Sequence, residues 1–234
     1  LITTITLASI ALALLLITTP TYADMQPTAQ QLTLKLQYYN GSPYAPETVA
    51  NMIPLANQQV TIKINDTIFK NVWTNDTGHV VLTDTVPVYN VEVWVWWNAS
   101  WGVSYLVYHG EGLTLDNTTA LDCSIYNVKY QAVDSTGYEG ALPYALIKII
   151  DANKSVTMYE ESTGSEGLTS NLMMPAPLSP VTYDLDPDYK FRVLVYWTPT
   201  TPISMIKVYN VTINCINVTK ASDDTVDYGS SKLY

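Results

Sequence analysis

The sequence has little charge and few of the residue types that usually carry catalysis. Its 234 residues include 11 lysines and arginines against 21 aspartates and glutamates, so the formal net charge is −10. This balance argues against nucleic acid or anionic lipid as a partner, because both are bound through positive charge. The two histidines, His79 and His109, have no cysteine or second histidine at ligand spacing, which argues against a zinc site. The chain also lacks a G-x-S-x-G nucleophile motif. We therefore expect a protein that is not an enzyme and has no cofactor.

The sequence also lacks the 3.6-residue periodicity of an amphipathic helix. Apolar and polar residues instead alternate, as in Leu32–Tyr38 and in Val91–Trp97, which is the pattern of half-buried strands. Val60, Ile62 and Ile64 show the same period, and Gly78 ends a tight polar turn after them. Short alternating runs separated by turn residues predict an all-β fold of antiparallel β-sandwiches.

Leu1–Ile17 is apolar and uncharged, and the small residues Thr21 and Ala23 follow it. This pattern favours a secretory signal peptide over residues 1–23, cleaved after Ala23, so we expect an extracellular or cell-surface protein. The alternative is an uncleaved N-terminal anchor, which would be the only contact with a membrane, since 17 residues is near the lower limit for a span.

The sequence has two cysteines, Cys123 and Cys215. In an oxidising compartment they are expected to pair, closing a loop of about 90 residues. The alternative is two buried free thiols.

The second half of the chain repeats blocks of the first half in the same order. Leu34–Gln37 aligns with Val128–Gln131, and Val60–Ile64 aligns with Ala145–Ile149. Further blocks align Gly78 with Gly167, Tyr89–Trp97 with Tyr189–Trp197, and Val107–Tyr108 with Val208–Tyr209. The blocks occur in the same order in both halves, but the distance between aligned residues changes from block to block. This pattern indicates an internal duplication in which the strands are retained and the loops differ in length.

One motif within each unit resembles a known family. An apolar strand at Val60–Ile64 is followed by Thr74-x-x-x-Gly78, a short strand and Tyr89-x-Val91-x-Val93. The second unit keeps Ser165–Gly167 and Tyr189–Val195. This pattern is similar to the carboxypeptidase-regulatory-like (transthyretin-like) β-sandwich, a resemblance that implies non-catalytic modules, often in tandem on secreted proteins. The sequon-rich, lysine-poor style also resembles archaeal surface and filament proteins.

The predicted organisation is two tandem β-sandwiches after the leader. Residues 24–31 form a polar arm, 32–119 the first repeat, 120–220 the second repeat and 221–234 a polar tail. The leading functional hypothesis is a glycosylated structural or adhesive surface protein that associates with itself, with other surface proteins or with an envelope layer. Its sheet edges would accept residues 24–31 or 221–234 of a neighbour. The alternatives are a glycan- or protein-binding module and the accessory domains of a larger surface enzyme.

The clearest candidate binding residues are the tryptophans Trp94, Trp96, Trp97 and Trp101. Alternation places Trp94 and Trp96 on the face opposite the valines. An open face would give a platform for a sugar or a partner protein, whereas a closed one would be core. We expect the bulkier face to point inward and Trp97 to break the alternation and be exposed.

Two weaker sets of candidates concern metal binding and glycosylation. Asp184, Asp186 and Asp188 are spaced as oxygen ligands for Ca²⁺, although a solvated turn explains them as well. Eight N-x-S/T sequons predict glycosylation, with turn-forming asparagines as the alternative. The sequons begin at Asn40, Asn65, Asn75, Asn98, Asn117, Asn153, Asn210 and Asn217.

Overall fold

The computed structural model describes residues 27–40, 52–132 and 140–196, together with the backbone alone of 197, 206–214, 226–227 and 231–233. The predicted leader, Cys215 and the sequon at Asn217 lie outside these residues. Every regular element in the described part of the chain is a strand, which confirms the all-β fold class. Among the described residues, no helix has the length and apolarity needed to cross a bilayer.

The strands run in chain order through two similar sets. The first set is β1 (Thr28–Ala29), β2 (Leu32–Tyr39), β3 (Met52–Pro54), β4 (Gln59–Ile64), β5 (Thr67–Trp73), β6 (His79–Leu82), β7 (Val86–Pro87), β8 (Val91–Asn98) and β9 (Ser104–Leu113). The second set is β10 (Ala120–Val128), β11 (Tyr130–Ala132), β12 (Leu146–Asp151), β13 (Val156–Ser162), β14 (Leu172–Pro175), β15 (Lys190–Trp197), β16 (Ile206–Asn214), β17 (Val226–Asp227) and β18 (Ser231–Leu233).

Two four-stranded antiparallel sheets repeat the same design. One has the order β5-β4-β8-β9 and the other the order β13-β12-β15-β16. Val95 lies opposite Tyr108 and Val195 opposite Tyr209, and each ladder has a register shift immediately after these pairs. The aligned blocks 89–97 with 189–197 and 107–108 with 208–209 therefore occupy matching sheet positions.

The turn glycines also sit in matching hydrogen-bond patterns. The Leu36 amide donates to the Gly78 carbonyl, and the Leu36 carbonyl accepts from the Leu55 amide. Ala132 makes the same pair of bonds, with Gly167 and with Leu142. Ala132 is thus the counterpart of Leu36, so the predicted alignment of residues 128–131 is wrong by two residues. The segments between these residues and the next aligned strands, which begin at Val60 and Ala145, differ in length, so sequence comparison alone does not show the correct offset.

Strand β10 connects the two halves. Its first part, Ala120–Cys123, pairs in parallel with β2, and its last part, Ile125–Val128, pairs antiparallel with β14. A five-stranded sheet results, with the order β14-β10-β2-β3 and with β6 also paired to β2. The predicted boundary at 119/120 therefore falls immediately before a strand that both halves share.

Both terminal segments predicted to pair with a neighbouring copy contain residues that pair within their own chain. Thr28–Ala29 of the polar arm pairs with β7, and Ala29 packs against the core. Ser231–Leu233 of the polar tail pairs with β11. Neither segment is free over these residues, because each covers a strand edge of its own chain that would otherwise leave backbone groups unpaired.

The core is formed by the alternate residues of the long strands. Burial alternates strictly along β2 and β8, so that Leu34 and Leu36, and Val93 and Val95, point inward. In the second half, Ile147 and Ile149 of β12 and Val193 and Val195 of β15 likewise point into the core. The opposite faces of β2 and β8 remain partly exposed, and on β8 that face carries Trp94 and Trp96.

Candidate functional site

A cleft of about 500 Å³ opens between the outer face of the first four-stranded sheet and two loops of the second half. The sheet contributes Lys63 from β4 and Trp94 and Trp96 from β8. The second half contributes the turn around Asn153 and the segment 177–189, which follows β14. The other lining residues are Ser104, Tyr105, Leu106, Asp151, Lys154, Pro177, Leu178, Pro180, Tyr183, Asp186 and Tyr189.

The two cleft tryptophans are half-buried on the face opposite the valines. The expectation that this bulkier face is the core is therefore wrong. Valines pack against the facing sheet, while loops of the second half cover the aromatic face only in part. Lys63 Nζ lies 4.0 Å from the centre of the Trp94 ring, a cation–π contact that orients the indole.

Trp97 and Trp101 have structural positions outside the cleft lining. Trp97 is 2% exposed, because it lies two residues after Val95 and so continues the buried face. The prediction that Trp97 is exposed is wrong. Trp101 packs edge-on against Trp97, at 5.3 Å, and against Tyr159, at 5.2 Å. Of the four predicted binding aromatics, Trp94 and Trp96 line the cleft.

One buried contact joins the two halves at the side of the cleft. Tyr105 Oη donates a 2.7 Å hydrogen bond to Asp151 Oδ2, and the Lys154 amide donates to the other carboxylate oxygen. The Trp101 indole N–H donates in turn to Tyr105 Oη. Burial and, next, the bond to Asp151 raise the pKa of Tyr105 well above its ordinary value, so its hydroxyl stays a donor. This network fixes the Asp151–Lys154 turn against β9.

The predicted calcium ligands form a turn. Asp186 Oδ1 accepts the Asp188 amide, and the Asp184 carbonyl accepts the Ser179 amide. Among the described residues, the one group of three acidic or histidine side chains whose ligand atoms converge is a different one, Glu92, His109 and Glu111. Sequence reasoning missed this group because Glu92 reaches the other two only through the pairing of β8 with β9. The available signal was His109-x-Glu111, since alternate residues of a strand share a face.

The asparagines of the predicted sequons differ in exposure. Asn40, Asn75, Asn117 and Asn153 are exposed. Asn98 is half-buried, and its amide nitrogen donates to Thr61 Oγ1 and Asn71 Oδ1. Asn65 is half-buried too, with its Oδ1 accepting the Glu92 amide. The side chain of Asn210, like all of Asn217, is outside the described residues, and glycosylation stays a prediction.

The predicted disulfide can be followed at one end only. Cys123 is fully buried in β10 as a thiol, and burial, followed by the nearby Asp122, raises its pKa above the ordinary value. Its proposed partner Cys215 lies outside the described residues, so the pairing stays a prediction.

No family model and no curated protein matches this chain. Solved structures similar to it include the shaft pilin SpaA from Lactobacillus rhamnosus GG, with a TM-score of 0.29 and 10% identity over 81% of this chain and 94% of that chain. A double mutant of the same pilin gives a TM-score of 0.28 at 10% identity, with the same coverage of both chains. At these TM-scores the likeness supports no conclusion about the function of this chain.

Proposed function

We propose that this protein is an extracellular, non-catalytic binding protein built from tandem carboxypeptidase-regulatory-like modules, and that its cleft binds a saccharide. The observation that carries the proposal is the pair of half-exposed indoles, Trp94 and Trp96, side by side in the cleft. Flat aromatic faces pack against the C–H faces of sugar rings, and the indole N–H supplies a polar contact.

The rest of the cleft suits a small polar ligand. Its volume of about 500 Å³ lies within the range of small-molecule sites. Ser104, Asn153 and Asp186 place hydroxyl, amide and carboxylate groups around the indoles. Lys63 and Lys154 bring positive charge beside the single carboxylate of Asp186 and the buried Asp151. This mixture favours a neutral or weakly anionic saccharide over a strongly cationic or highly phosphorylated ligand.

The proposal predicts that Trp96→Ala weakens saccharide binding by roughly 2- to 10-fold, because an aromatic contact contributes on the order of 0.5–1.5 kcal/mol. The full chain would first be screened on an array of neutral and uronic-acid oligosaccharides. The best binder would then be titrated calorimetrically into wild type, Trp96→Ala and Trp73→Ala. Trp73 is the matched control, since it is 63% exposed on β5 and outside the cleft. Unchanged affinity of Trp96→Ala, or no binder on the array, would contradict the proposal.

We also propose a structural role in which copies of the chain associate through the outer strand β5. Among the described strands, β5 is the edge of its sheet, and it carries the exposed apolar side chains Ile68 and Trp73. An edge strand with free backbone groups and exposed apolar residues is suited to association with another copy. The role agrees with the leading hypothesis of a surface protein that assembles with itself or with an envelope layer.

Self-association is expected to weaken at least about 10-fold in Trp73→Ser, because a large aromatic anchor leaves the contact. Sedimentation velocity over a range of protein concentrations measures the change. Tyr89→Ser is the control, since Tyr89 is similarly exposed in the first half but lies between β7 and β8. A monomeric wild type at every concentration, or an unchanged dimer of Trp73→Ser, would refute this role.

A further inference from the structure

Three potential metal ligands converge on the outer face of the β8–β9 pair. Glu92 comes from β8, and His109 and Glu111 come from β9, where alternate residues share a face. His109 lies directly opposite Trp94 in the ladder. Val91 pairs with Leu113 and Val93 pairs with Gly110, so β9 has one more residue than β8 between these two pairs. Glu92 therefore lies opposite Glu111 and Gly112 at this register shift.

The distances between the ligand atoms are close to those around a small metal ion. His109 Nε2 lies 2.8 Å from Glu92 Oε1 and 3.7 Å from Glu111 Oε1. All three ligand atoms lie within 4.8 Å of one another. Ligands held at 2.0–2.1 Å around tetrahedral zinc are roughly 3.3 Å apart, so shifts of a few tenths of an ångström up to about 1.5 Å would complete the set.

The imidazole is held in place by its surroundings. The His109 side chain is 8% exposed, and its ring stacks on Tyr183 with centroids 3.7 Å apart. Trp94 contacts the ring from another side, at 5.5 Å. The Glu92 backbone is fixed separately, because its amide donates to Asn65 Oδ1. Such outer contacts orient the ligands of protein metal sites.

We propose that Glu92, His109 and Glu111 bind a divalent transition metal, with Zn²⁺ the best match. One imidazole and two carboxylates suit zinc, whereas Ca²⁺ takes six to eight oxygen ligands. An ion pair between His109 and Glu92 explains the position of the Glu92 carboxylate. It does not explain the position of the Glu111 carboxylate, which lies beyond hydrogen-bond distance from His109 Nε2. A dication accounts for all three groups, and the fourth position would be open to water.

The site also bears on the cleft, although the proposal does not depend on saccharide binding. Tyr183 stacks on the ligand imidazole and at the same time lines the cleft, as does Trp94. A bound metal would fix the imidazole and, through it, the 177–189 segment that forms one wall. Zinc is therefore expected to raise the melting temperature by roughly 5–10 °C at a free concentration about one hundred times the Kd.

Calorimetric titration of ZnCl₂ into the EDTA-treated full chain tests the site, with native mass spectrometry to count bound ions. We expect one ion per chain, and a loss of affinity of at least about 10-fold in His109→Gln and in Glu111→Gln. Glu111 is 69% exposed, so Glu111→Gln should leave the fold intact even if His109→Gln does not. His79→Gln removes the other histidine and should bind zinc as wild type does.

Two outcomes would overturn the proposal. One is the absence of a bound ion at a zinc concentration of about 100 μM, which would leave the cluster as an ion pair. The other is equal binding by Glu111→Gln and wild type, which would place the metal elsewhere. Saccharide titrations of Glu111→Gln separate this result from the cleft proposal, because Trp94 and Trp96 are unchanged in that variant.

Discussion

Replacing Gly78 by alanine is expected to lower the free energy of unfolding by about 3 kcal/mol. Gly78 has a φ of +77°, a conformation that costs an L-residue about 1–2 kcal/mol. A Cβ at this position would also lie 2.5 Å from the Leu36 carbonyl oxygen and 3.0 Å from the Leu55 nitrogen. Both are backbone atoms and bond to each other, so neither can move without opening the contact between β2 and the turn. Urea unfolding followed by tryptophan fluorescence measures the loss.

Gly102 provides the matched control for this experiment. Its φ is +83°, but a Cβ there would meet nothing within 4 Å. Gly102→Ala should therefore cost only the dihedral term, about 1–2 kcal/mol. Gly167→Ala should behave like Gly78→Ala, since its Cβ would lie 2.6 Å from the Ala132 carbonyl oxygen. Equal losses for Gly78→Ala and Gly102→Ala would show that the close approach contributes nothing.

Trp97→Ala is expected to cost about 3–5 kcal/mol, the range for removing a large aromatic side chain from a core. The indole is part of the hydrophobic core and packs against Trp101 and Tyr105. Its N–H donates to Gln58 Oε1, so truncation also leaves that amide oxygen without this donor. The change in the urea midpoint, at an unchanged slope, gives the loss.

Trp96→Ala is the control for this prediction as well. Trp96 precedes Trp97 on the same strand and faces the cleft, where it is half-exposed. We expect a loss of about 1 kcal/mol or less, because no buried cavity forms. A larger loss for Trp96→Ala than for Trp97→Ala would reverse the assignment of the two faces of β8.

Alternation along β8 predicts the strand and the two sets of residues that share a face, but not which set is buried. That depends on what covers each face. Valines meet the facing sheet, whereas Trp94 and Trp96 meet loops from residues 151–189, which are distant in sequence. The size of the side chains therefore does not predict which face of a strand is buried when a second module covers part of one face. In contrast, the sequence alone places Trp97 on the same face as the valines, because residues 91, 93, 95 and 97 are alternate positions of one strand.

The candidate sites depend on contacts that single-sequence patterns do not contain. The zinc cluster needs the pairing of β8 with β9, including its register shift. The hydrogen bond between Tyr105 and Asp151 joins residues that are 46 positions apart in the sequence. The sequence around Asp151 does not indicate that this carboxylate is buried. The sequence does contain the duplication, because both copies must keep a glycine where backbone atoms approach closely.

The shared strand β10 has a mechanical consequence. Modules joined by a flexible linker pivot about it, so tension straightens the linker first. In this chain, the nine residues of β10 pair in parallel with β2 and antiparallel with β14, and Tyr126 pairs with both. Separating the two halves therefore requires breaking both sets of backbone hydrogen bonds. We therefore expect the boundary between the modules to resist bending and extension more strongly than a flexible linker would.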